Sequence, residues 1–391
     1  MPTPFSFEAP IPLAFGENRL DKLGRDIGRL AGDEAQVVLV SDPGVAAAGL
    51  VERTLAVLAK AGVEVAVFAE VRSDPLASSI DAVVELARRT SANCVVGLGG
   101  GSSLDVAKIA AALARSGDPV EAYALGARPL PADGLPKIGI PTTAGTGSEV
   151  TRTSVFSTED RKLWAWGTEL RYDLALLDPT LTVGLPPHLT AATGVDASVH
   201  AIEAATNRRR NAVSSAIALA AVTMLRRWLK TAVDQPENLE ARGHVLIAAT
   251  LAGMAFDVAG VAIAHSLGHA IGELAGVHHG RAVGLALNAT MATAAGVVPE
   301  AYADVAAALG APVAGKSEAE AAMLAAPAFE AWLREVGLKL SLDDHGLGEA
   351  DAERLAALCF EPENKVMLES DSVDYTAENL KEAARRMLNA A

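Results

Sequence analysis

Short apolar runs alternate with helical stretches through the first half of the chain, and this alternation limits the fold more than any other feature. The predicted strands are residues 37–40, 63–68, 94–98 and 138–140, and the predicted helices between them are residues 50–59, 80–89 and 104–113. Strands that are apolar on both faces are typical of a parallel sheet covered by helices on both sides. We therefore predict an α/β N-terminal domain with a parallel, Rossmann-like sheet, which binds ligands at the carboxyl ends of its strands.

The chain changes character after residue 178, where strand-like runs give way to long apolar helical patterns. The predicted helices are residues 191–205, 212–229, 239–258, 262–275 and 285–295. The most apolar stretch, residues 245–264, predicts a buried helix and not a membrane span, because Asp257 would be costly at the middle of a bilayer. We place the domain boundary near Gly184, which gives an α/β domain at residues 1–183 and an all-α domain at residues 184–391.

The charge and the cysteine content exclude several classes of protein. A formal net charge of −15 disfavours nucleic acid and anionic membranes as partners, because both require clustered Lys and Arg. Cys94 and Cys359 are the only cysteines, which excludes a disulfide framework and a thiolate metal site. The first ten residues have neither the basic nor the apolar region of a signal peptide. These features predict a cytoplasmic protein that acts on a small molecule.

A glycine-rich loop, Gly97-Leu-Gly-Gly-Gly-Ser-Ser103, lies between a predicted strand and a predicted helix. Glycines allow the backbone to approach a phosphate closely, and the start of a helix offers N–H groups and a positive dipole end. The loop is neither the spaced G-x-G-x-x-G fingerprint nor a Walker A motif. It is interpreted either as a phosphate-binding loop, which we favour, or as a tight turn without a ligand.

A second loop, Pro141-Thr-Thr-Ala-Gly-Thr-Gly-Ser-Glu149, follows another predicted strand and carries four hydroxyls and two glycines. It is interpreted either as a ligand clamp or as a solvated loop. Asp42 follows the first strand, where a carboxylate can bind an adenosine ribose diol and repel a 2′-phosphate. The alternative for Asp42 is a place in the turn predicted at residues 41–44.

Imidazole and carboxylate side chains are concentrated in the helical half. Six of the 8 His residues lie between His200 and His279. Residues spaced by four share a helix face, and the pairs with this spacing are Asp196 with His200 and His265 with His269. Imidazole plus carboxylate without thiolate is a ligand set for Fe²⁺, Zn²⁺ or a similar divalent ion. Core histidines are the alternative, but burying so many titratable groups without a partner is costly.

Taken together, the motifs resemble the iron-dependent, or group III, alcohol dehydrogenase family. The resemblance covers nearly the whole chain and is carried by residues 15–16, 99–108, 141–151 and 192–203, together with His265, His269, His279 and Gly280. The sequence departs from the family pattern at His278, where the family usually has Pro, and at Leu287-Asn288, where it has Leu-Pro. Asp257 also occupies the neighbourhood of a common Asn.

The resemblance implies a set of site residues. By this resemblance the metal ligands are Asp196, His200, His265 and His279. The dinucleotide-binding residues are Gly99, Gly100, Gly101, Ser102, Thr142, Thr143, Thr151 and Lys162, to which the position of Asp42 adds one more. His269 lies beside the nicotinamide and not on the metal, and a neutral imidazole there is our candidate catalytic proton carrier. The alternative for His269 is a packing residue, and the role of His278 is left open.

The resemblance also implies an architecture and a reaction. The architecture is that of dehydroquinate synthase, with NAD bound at residues 1–183 and the metal and catalysis at residues 184–391. The reaction is NAD-linked hydride transfer between a primary or small functionalised alcohol and its aldehyde or ketone, with Fe²⁺ or else Zn²⁺. The position of Asp42 predicts NAD in preference to NADP, because its carboxylate would repel a 2′-phosphate. A homodimer or higher homo-oligomer is also expected.

Two other activities and one substrate contact are kept as alternatives. A maleylacetate reductase-like enzyme is the nearer one, and a dehydroquinate synthase-like cyclase or lyase is the other. The cyclase would require several Lys and Arg in its cleft, in which the motif segments are poor. Arg152 follows a predicted strand at residues 149–151 and either pairs with a substrate carboxylate or phosphate or lies on the surface.

Overall fold

The structure is a computed structural model that describes residue 5, residues 11–159 and residues 161–389. Nine of the ten residues used for the signal-peptide prediction therefore lie outside the described residues. The described chain divides into two compact units. The first comprises residues 11–143 and Gly147–Leu185, and the second comprises Ala144–Thr146 and residues 186–389.

The first unit is built on a parallel sheet. Its strands are β1 (Leu13–Phe15), β2 (Gln36–Val40), β3 (Glu64–Phe68), β4 (Cys94–Gly99), β5 (Lys137–Pro141), β6 (Thr153–Ser157), β7 (Lys162–Trp166) and β8 (Leu174–Leu177). Its helices are α1 (Leu23–Ala31), α2 (Pro43–Ala47), α3 (Leu50–Lys60), α4 (Ala77–Arg89) and α5 (Gly101–Leu113), with 3-10 helices at Arg19–Lys22, Val120–Gly126, Ser148–Val150, Thr168–Leu170 and Pro179–Leu181. Six strands pair in the order β1-β8-β5-β4-β2-β3, all parallel, while β6 and β7 form an antiparallel hairpin. The predicted parallel α/β fold is confirmed.

Alternate residues of the central strands face two separate cores, which explains why these strands are apolar throughout. Val38 and Val40 belong to one cluster of buried side chains, which includes residues of α4 and α5. Val37 and Leu39 belong to a second cluster, which includes residues of α1 and α3. Neither face of these central strands is left to water, and each fully buried Val or Leu contributes about 1.5–3 kcal/mol.

The chain changes direction across the sheet at β2. From β2 the chain proceeds to β3 on one side, and β4 then pairs with β2 on the other side. The carboxyl ends of β2 and β4 therefore form a topological switch point, which is where open α/β sheets bind ligands. Asp42 follows β2, and the glycine loop comprises the last residues of β4, Gly100 and the start of α5, so both lie at this switch point.

Two segments differ from their predicted conformations. The turn predicted at residues 41–44 begins helix α2 instead, because Asp42 caps the helix and Pro43 occupies its first turn. The strand predicted at residues 149–151 is largely a 3-10 turn, which follows Gly147 in the left-handed region at φ 60°. The strand in this region is β6, which begins at Thr153 because antiparallel pairing with β7 starts there.

The second unit consists of helices. These are α6 (Pro187–Thr206), α7 (Ala212–Asp234), α8 (Leu239–Ala259), α9 (Ile263–Ala275), α10 (His279–Val297), α11 (Pro299–Ala308), α12 (Glu318–Ala322), α13 (Ala325–Glu335), α14 (Ala352–Leu358), α15 (Pro362–Ser370) and α16 (Ala377–Leu388), with 3-10 helices at Asp343–His345 and Glu349–Asp351. All regular structure among its described residues is helical, as predicted.

The apolar stretch at residues 245–264 is divided between two helices. Helix α8 ends at Ala259, Gly260 follows with φ 79°, and α9 begins at Ile263. The two helices bend by 105° at this break. The bend places His265 in the first turn of α9, where its backbone N–H has no partner within the helix.

Glycines allow three helices to approach closely around the histidines. A Cβ at Gly280 in α10 would lie 2.1 Å from the carbonyl oxygen of Ala192 in α6. A Cβ at Gly268 in α9 would lie 2.5 Å from a methyl carbon of Val283 in α10. Neither position accepts a side chain unless a neighbour moves. The backbones of α6, α9 and α10 are therefore close enough for their polar side chains to meet.

Candidate metal centre and dinucleotide site

One carboxylate and two imidazoles from three helices converge in the helical unit. Asp196 lies in α6, His265 lies in the first turn of α9, and His279 is the first residue of α10. The Nε2 atoms of His265 and His279 lie 4.0 and 3.5 Å from Oδ1 of Asp196. One ligand atom of each residue lies within 4.8 Å of the other two. This spacing suits one divalent ion, whose bonds to nitrogen and oxygen are about 2.0–2.2 Å long.

His200 lies beside this group of three. It is one helical turn after Asp196, and its Nδ1 is 3.9 Å from Oδ1 of Asp196. Its ring stacks on the ring of His265, with 4.5 Å between centroids, and Phe256 covers its other face at 4.4 Å. His200 is not part of the mutually close group, so the structure brings three of the predicted ligands together and places the fourth next to them.

The chemistry of these donor atoms fits a divalent metal ion. Asp196, His200 and His265 are 3%, 6% and 3% exposed. Burial holds the pKa of His200 well below its ordinary value, and the nearby His265 lowers it further, so the ring is neutral. Its Nδ1 is buried and makes no hydrogen bond with any described residue. A cation would complete this cluster of imidazoles and a buried carboxylate, which is otherwise costly.

A buried carboxylate holds the ring of His265 from behind. Oε2 of Glu203 lies 2.6 Å from Nδ1 of His265. Glu203 also accepts the backbone N–H groups of Ala262 and Ala264 at 2.8 and 2.6 Å. Burial raises the pKa of Glu203 to about 7, and the hydrogen bonds from backbone N–H groups oppose this rise. An acceptor at Nδ1 assigns the ring proton to Nδ1 and leaves the lone pair of Nε2 facing Asp196.

His269 and His278 have different surroundings from the group of three. The ring centroid of His269 is 6.4 Å from that of His265 and 5.4 Å from that of His279, and the side chain is half-buried. His278 directly precedes α10 and is exposed. Of the two adjacent histidines, His279 is therefore the one that the structure brings to Asp196.

The glycine loop meets Asp42 at the switch point of the sheet. Oδ2 of Asp42 accepts a hydrogen bond from Oγ of Ser103 at 3.0 Å, and Oδ1 accepts the N–H of Val45 at 3.0 Å. A Cβ at Gly99 would lie 2.9 Å from Oδ2 of Asp42, and the φ of Gly99 is 154°. Glycine is therefore required here, both for its backbone conformation and for the close approach of the carboxylate.

Thr142 and Thr143 lie beside the same loop. The N–H of Thr142 donates to the carbonyl of Gly99 at 2.9 Å, and a Cβ at Gly100 would lie 3.4 Å from Cγ2 of Thr143. Helix α5 begins at Gly101 without a side-chain cap, so its first N–H groups are available at this edge of the sheet. The structure thus brings predicted residues of both loops together in a backbone surface suited to a pyrophosphate.

Lys108 joins α5 to the second loop. It is fully buried, and its Nζ donates to Oγ of Ser148 at 2.9 Å and to Oγ1 of Thr151 at 3.1 Å. Nζ also lies 3.1 Å from Oδ1 of Asp105, whose other oxygen accepts the N–H of Val155 at 2.9 Å. The position of Thr151, a predicted dinucleotide residue, therefore depends on a buried ion pair.

Lys162 and Arg152 lie in or beside the β6–β7 hairpin, and both contact other side chains. Lys162 begins β7 and forms an ion pair with Asp74 at 2.5 Å. The guanidinium of Arg152 lies 4.8 Å from the centre of the Trp166 ring, which is a cation–π arrangement. Both side chains therefore lie in the hairpin region of the first unit.

Several residues that support the two sites were not predicted from the sequence. Glu203 lies two helical turns after Asp196, so the spacing alone indicates that the two side chains share a face of the helix. Lys108 is a charged residue in an apolar helix, which is a signal for a buried partner. Asp371 accepts the N–H of Ile263 at 3.3 Å from a segment 108 residues away, and no local pattern indicates this contact.

Two family models match most of the chain. The model described as iron-containing alcohol dehydrogenase matches residues 10–179. The model described as the C-terminal part of the Fe-containing alcohol dehydrogenase family matches residues 190–383.

Individual relatives agree with these matches. Long-chain-alcohol dehydrogenase 1 of Geobacillus thermodenitrificans is 36% identical over 342 residues, which cover 87% of this chain and 86% of the relative. A crystal structure of 1,3-propanediol oxidoreductase has a TM-score of 0.90 at 31% identity and covers 98% of this chain and 100% of its own. A sulfoacetaldehyde reductase from Bifidobacterium kashiwanohense, in complex with NAD⁺, has a TM-score of 0.87 at 27% identity and covers 99% of both chains.

Proposed function

This chain belongs to the iron-containing alcohol dehydrogenase family, and from that premise we propose which of its residues carry the reaction. The chain is a metal-dependent, NAD-linked oxidoreductase that acts on CH–OH donors and the corresponding carbonyl compounds. We propose that residues 1–183 bind the dinucleotide and that residues 184–391 bind the metal and carry catalysis. The cyclase and maleylacetate reductase alternatives are not favoured, because the relatives are named for alcohols and an aldehyde.

We propose Asp196, His200, His265 and His279 as the metal ligands. The observation that supports Asp196, His265 and His279 is the mutual 4.8 Å spacing of their ligand atoms, which come from three separate helices. His200 is included because its Nδ1 lies 3.9 Å from the same Oδ1 of Asp196. When bound, the metal supplies Lewis acidity to the alcohol or carbonyl oxygen. Three of the four proposed ligands are neutral, so they preserve most of the positive charge that this chemistry needs. Asp196, His200 and His265 are buried, which limits the access of water to them and strengthens electrostatic interactions in the site.

We propose that NAD binds at the carboxyl edge of the sheet. The proposed residues are Asp42, Gly99, Gly100, Gly101, Ser102, Thr142, Thr143, Thr151 and Lys162. The start of α5 and the glycine loop would hold the pyrophosphate, and NAD would accept the hydride. The carboxylate of Asp42 would accept the ribose hydroxyls and would repel the 2′-phosphate of NADP.

We propose that His269 carries a proton between the reacting oxygen and solvent. It lies one helical turn after His265, and a ligand role would close the position that the substrate oxygen needs. His269→Ala should keep the metal at wild-type stoichiometry, lower turnover and change the acid limb of the pH–rate profile. Loss of the metal would instead make His269 a ligand. Normal turnover with an unchanged profile would leave it as a packing residue.

We propose a primary alcohol as the substrate. One of the similar structures is a 1,3-propanediol oxidoreductase, and 1,3-propanediol carries primary hydroxyls. Initial rates over matched primary and secondary alcohols should favour the primary series, and preference for the secondary series would contradict the proposal. Arg152→Ala tests whether Arg152 contacts the substrate. If its guanidinium pairs with a substrate carboxylate or phosphate, the variant should selectively weaken the binding of aldehydes that carry such a group.

The metal proposal is tested by removal and replacement of the ion. Dialysis against a chelator should abolish turnover, and added Fe²⁺ or Zn²⁺ should restore it. His265→Ala should lose the metal, because three ligands hold a divalent ion far less well than four. His244→Ala is the matched control, since the ring of His244 stacks on Trp228 at 4.5 Å. Full activity in protein shown to be free of metal would overturn the proposal.

We propose that the protein is a cytoplasmic homo-oligomer. Leu13 and Phe15 on β1 are 44% and 49% exposed, and among the described residues β1 pairs only with β8. An apolar edge strand of this kind favours pairing with a second copy. Light scattering should give a multiple of the chain mass, and a monomer would contradict the proposal. Cys94 and Cys359 are free and buried, which is compatible with a reducing compartment.

A further inference from the structure

A single carboxylate joins the ring of one proposed metal ligand to the backbone that carries it. Oε2 of Glu203 lies 2.6 Å from Nδ1 of His265 and 2.8 Å from the N of Ala262. Oε1 accepts the N–H of Ala264 at 2.6 Å. Glu203 is 2% exposed and His265 is 3% exposed, so water does not compete for these bonds. These three donors occupy most of the acceptor sites of the carboxylate, and they leave it little freedom to rotate.

We propose that Glu203 is the positioning residue of the metal centre, which fixes both the tautomer of His265 and the start of α9. This inference rests on the proposed role of His265 as a ligand. A ring that donates its Nδ1–H to Glu203 keeps the proton away from Nε2. Nε2 is the atom that lies 4.0 Å from Oδ1 of Asp196, so its lone pair is held toward the site.

Glu203 also replaces a helix cap that the local sequence does not provide. Ala262 directly precedes α9, and its methyl side chain cannot accept hydrogen bonds from the first N–H groups of that helix. Glu203 reaches these groups from α6, the same helix that carries Asp196 and His200. The proposed ligands of α6 and α9 are therefore linked by one rigid, buried contact, and displacement of Glu203 would disturb the ligands of both helices together.

Asp371 provides a matched control at the same helix end. Its Oδ2 accepts the N–H of Ile263 at 3.3 Å, and its Oδ1 accepts the N–H of Val373 at 2.8 Å. Like Glu203, Asp371 is a buried carboxylate that contacts the start of α9 from another segment, and it is 6% exposed. Unlike Glu203, Asp371 makes no hydrogen bond with a histidine ring among the residues that the structure describes. Asp371→Asn thus removes one buried charge and disturbs the helix cap without acting on the ring.

The test compares Glu203→Gln with Asp371→Asn in the full chain. The dissociation constant for Zn²⁺ is measured by competition with a chromogenic chelator, and ¹⁵N-labelled histidine reports the ring tautomers of the metal-free protein. Glu203→Gln should weaken Zn²⁺ binding about 10–100-fold, because its amide can face Nδ1 as a donor and move the ring proton to Nε2. Asp371→Asn should lower thermal stability but change Zn²⁺ binding by less than about threefold.

The outcomes separate this inference from the ligand proposal. If the wild type binds no Zn²⁺, the proposed metal function fails. If the wild type binds Zn²⁺ and Glu203→Gln binds it equally well, the positioning role fails. Equal loss of binding in both variants would also overturn that role, because the effect would then come from the helix cap or the charge. If Glu203→Gln does not fold, Glu203→Asp is the alternative variant, which keeps the charge and shortens the side chain. It should lose less Zn²⁺ affinity than the loss of about 10–100-fold expected for Glu203→Gln.

Discussion

Gly280→Ala is expected to damage the metal centre by adding one methyl group. A Cβ at this position would lie 2.1 Å from the carbonyl oxygen and 2.8 Å from the carbonyl carbon of Ala192. Real Cβ atoms essentially never come closer than 3.0 Å to another heavy atom, so α10 and α6 must separate by nearly an ångström. The obstacle is backbone, which cannot rotate away as a side chain can.

The displacement acts directly on His279, the residue before Gly280. Its Nε2 now lies 3.5 Å from Oδ1 of Asp196. Bonds from a divalent ion to nitrogen are about 2.0–2.1 Å long and vary by only about 0.2 Å between sites, so a shift of nearly an ångström moves His279 out of bonding position. We expect kcat/KM to fall by about 10²-fold or more and the unfolding free energy to fall by about 1–3 kcal/mol.

The assay measures metal content, kcat/KM and chemical denaturation on the same preparations. Gly296→Ala is the control, because it lies in the same helix and nothing lies within 4 Å of its Cβ position. That variant should keep its metal and be neutral or more stable by up to about 1 kcal/mol. Gly280→Ala protein with wild-type metal affinity and kcat/KM would refute the reasoning, since α10 would then have moved without effect on the site.

Three further results are expected. Asp42→Gly should raise kcat/KM for NADP relative to NAD, because like charges a few ångströms apart cost about 1–4 kcal/mol; a wild type that already prefers NADP would contradict this. Lys108→Met should lower the unfolding free energy by about 3–5 kcal/mol, because it leaves Asp105 without its cation, and should raise the KM for NAD, because it releases Thr151. An unchanged KM would contradict the expected effect on NAD binding. Burial raises the pKa of Asp371 to about 6, so the folded protein holds a proton that the unfolded chain releases. The stability that this group contributes below about pH 4 should be lost as pH rises through about 6, and Asp371→Asn should remove that part of the pH dependence in denaturation curves.

The sheet and the long helices were predictable because their patterns are local. Strands β2 and β4 are buried on both faces and read as unbroken apolar runs, and the long helices carry apolar residues at helical spacing. Residues 41–44 were not predictable in the same way, because Asp-Pro-Gly fits a turn and a helix start equally well. The conformation of residues 148–151 depends on Lys108, which lies about 40 residues away.

The candidate site shows the same division between local and distant information. The spacing of Asp196 and His200 placed both on one face of α6, as the structure has them. The approach of α10 to α6 depends on Gly280 and Ala192, which no spacing connects. The contacts of Glu203 and Asp371 with the start of α9 arise only when distant segments pack together, so a pattern along the chain does not reveal them.

The contacts at the start of α9 also determine when, during synthesis, this turn can be completed. One of its N–H groups, that of Ile263, is bound by Asp371, which lies 108 residues further along the chain. At a synthesis rate of roughly 5–20 residues per second, the ribosome adds Asp371 about 5–20 s after Ile263. During that interval the turn that carries His265 lacks one of its two carboxylates. We therefore expect the start of α9 to reach its full stability only after the C-terminal helices emerge, so that translation itself delays the final packing of this turn.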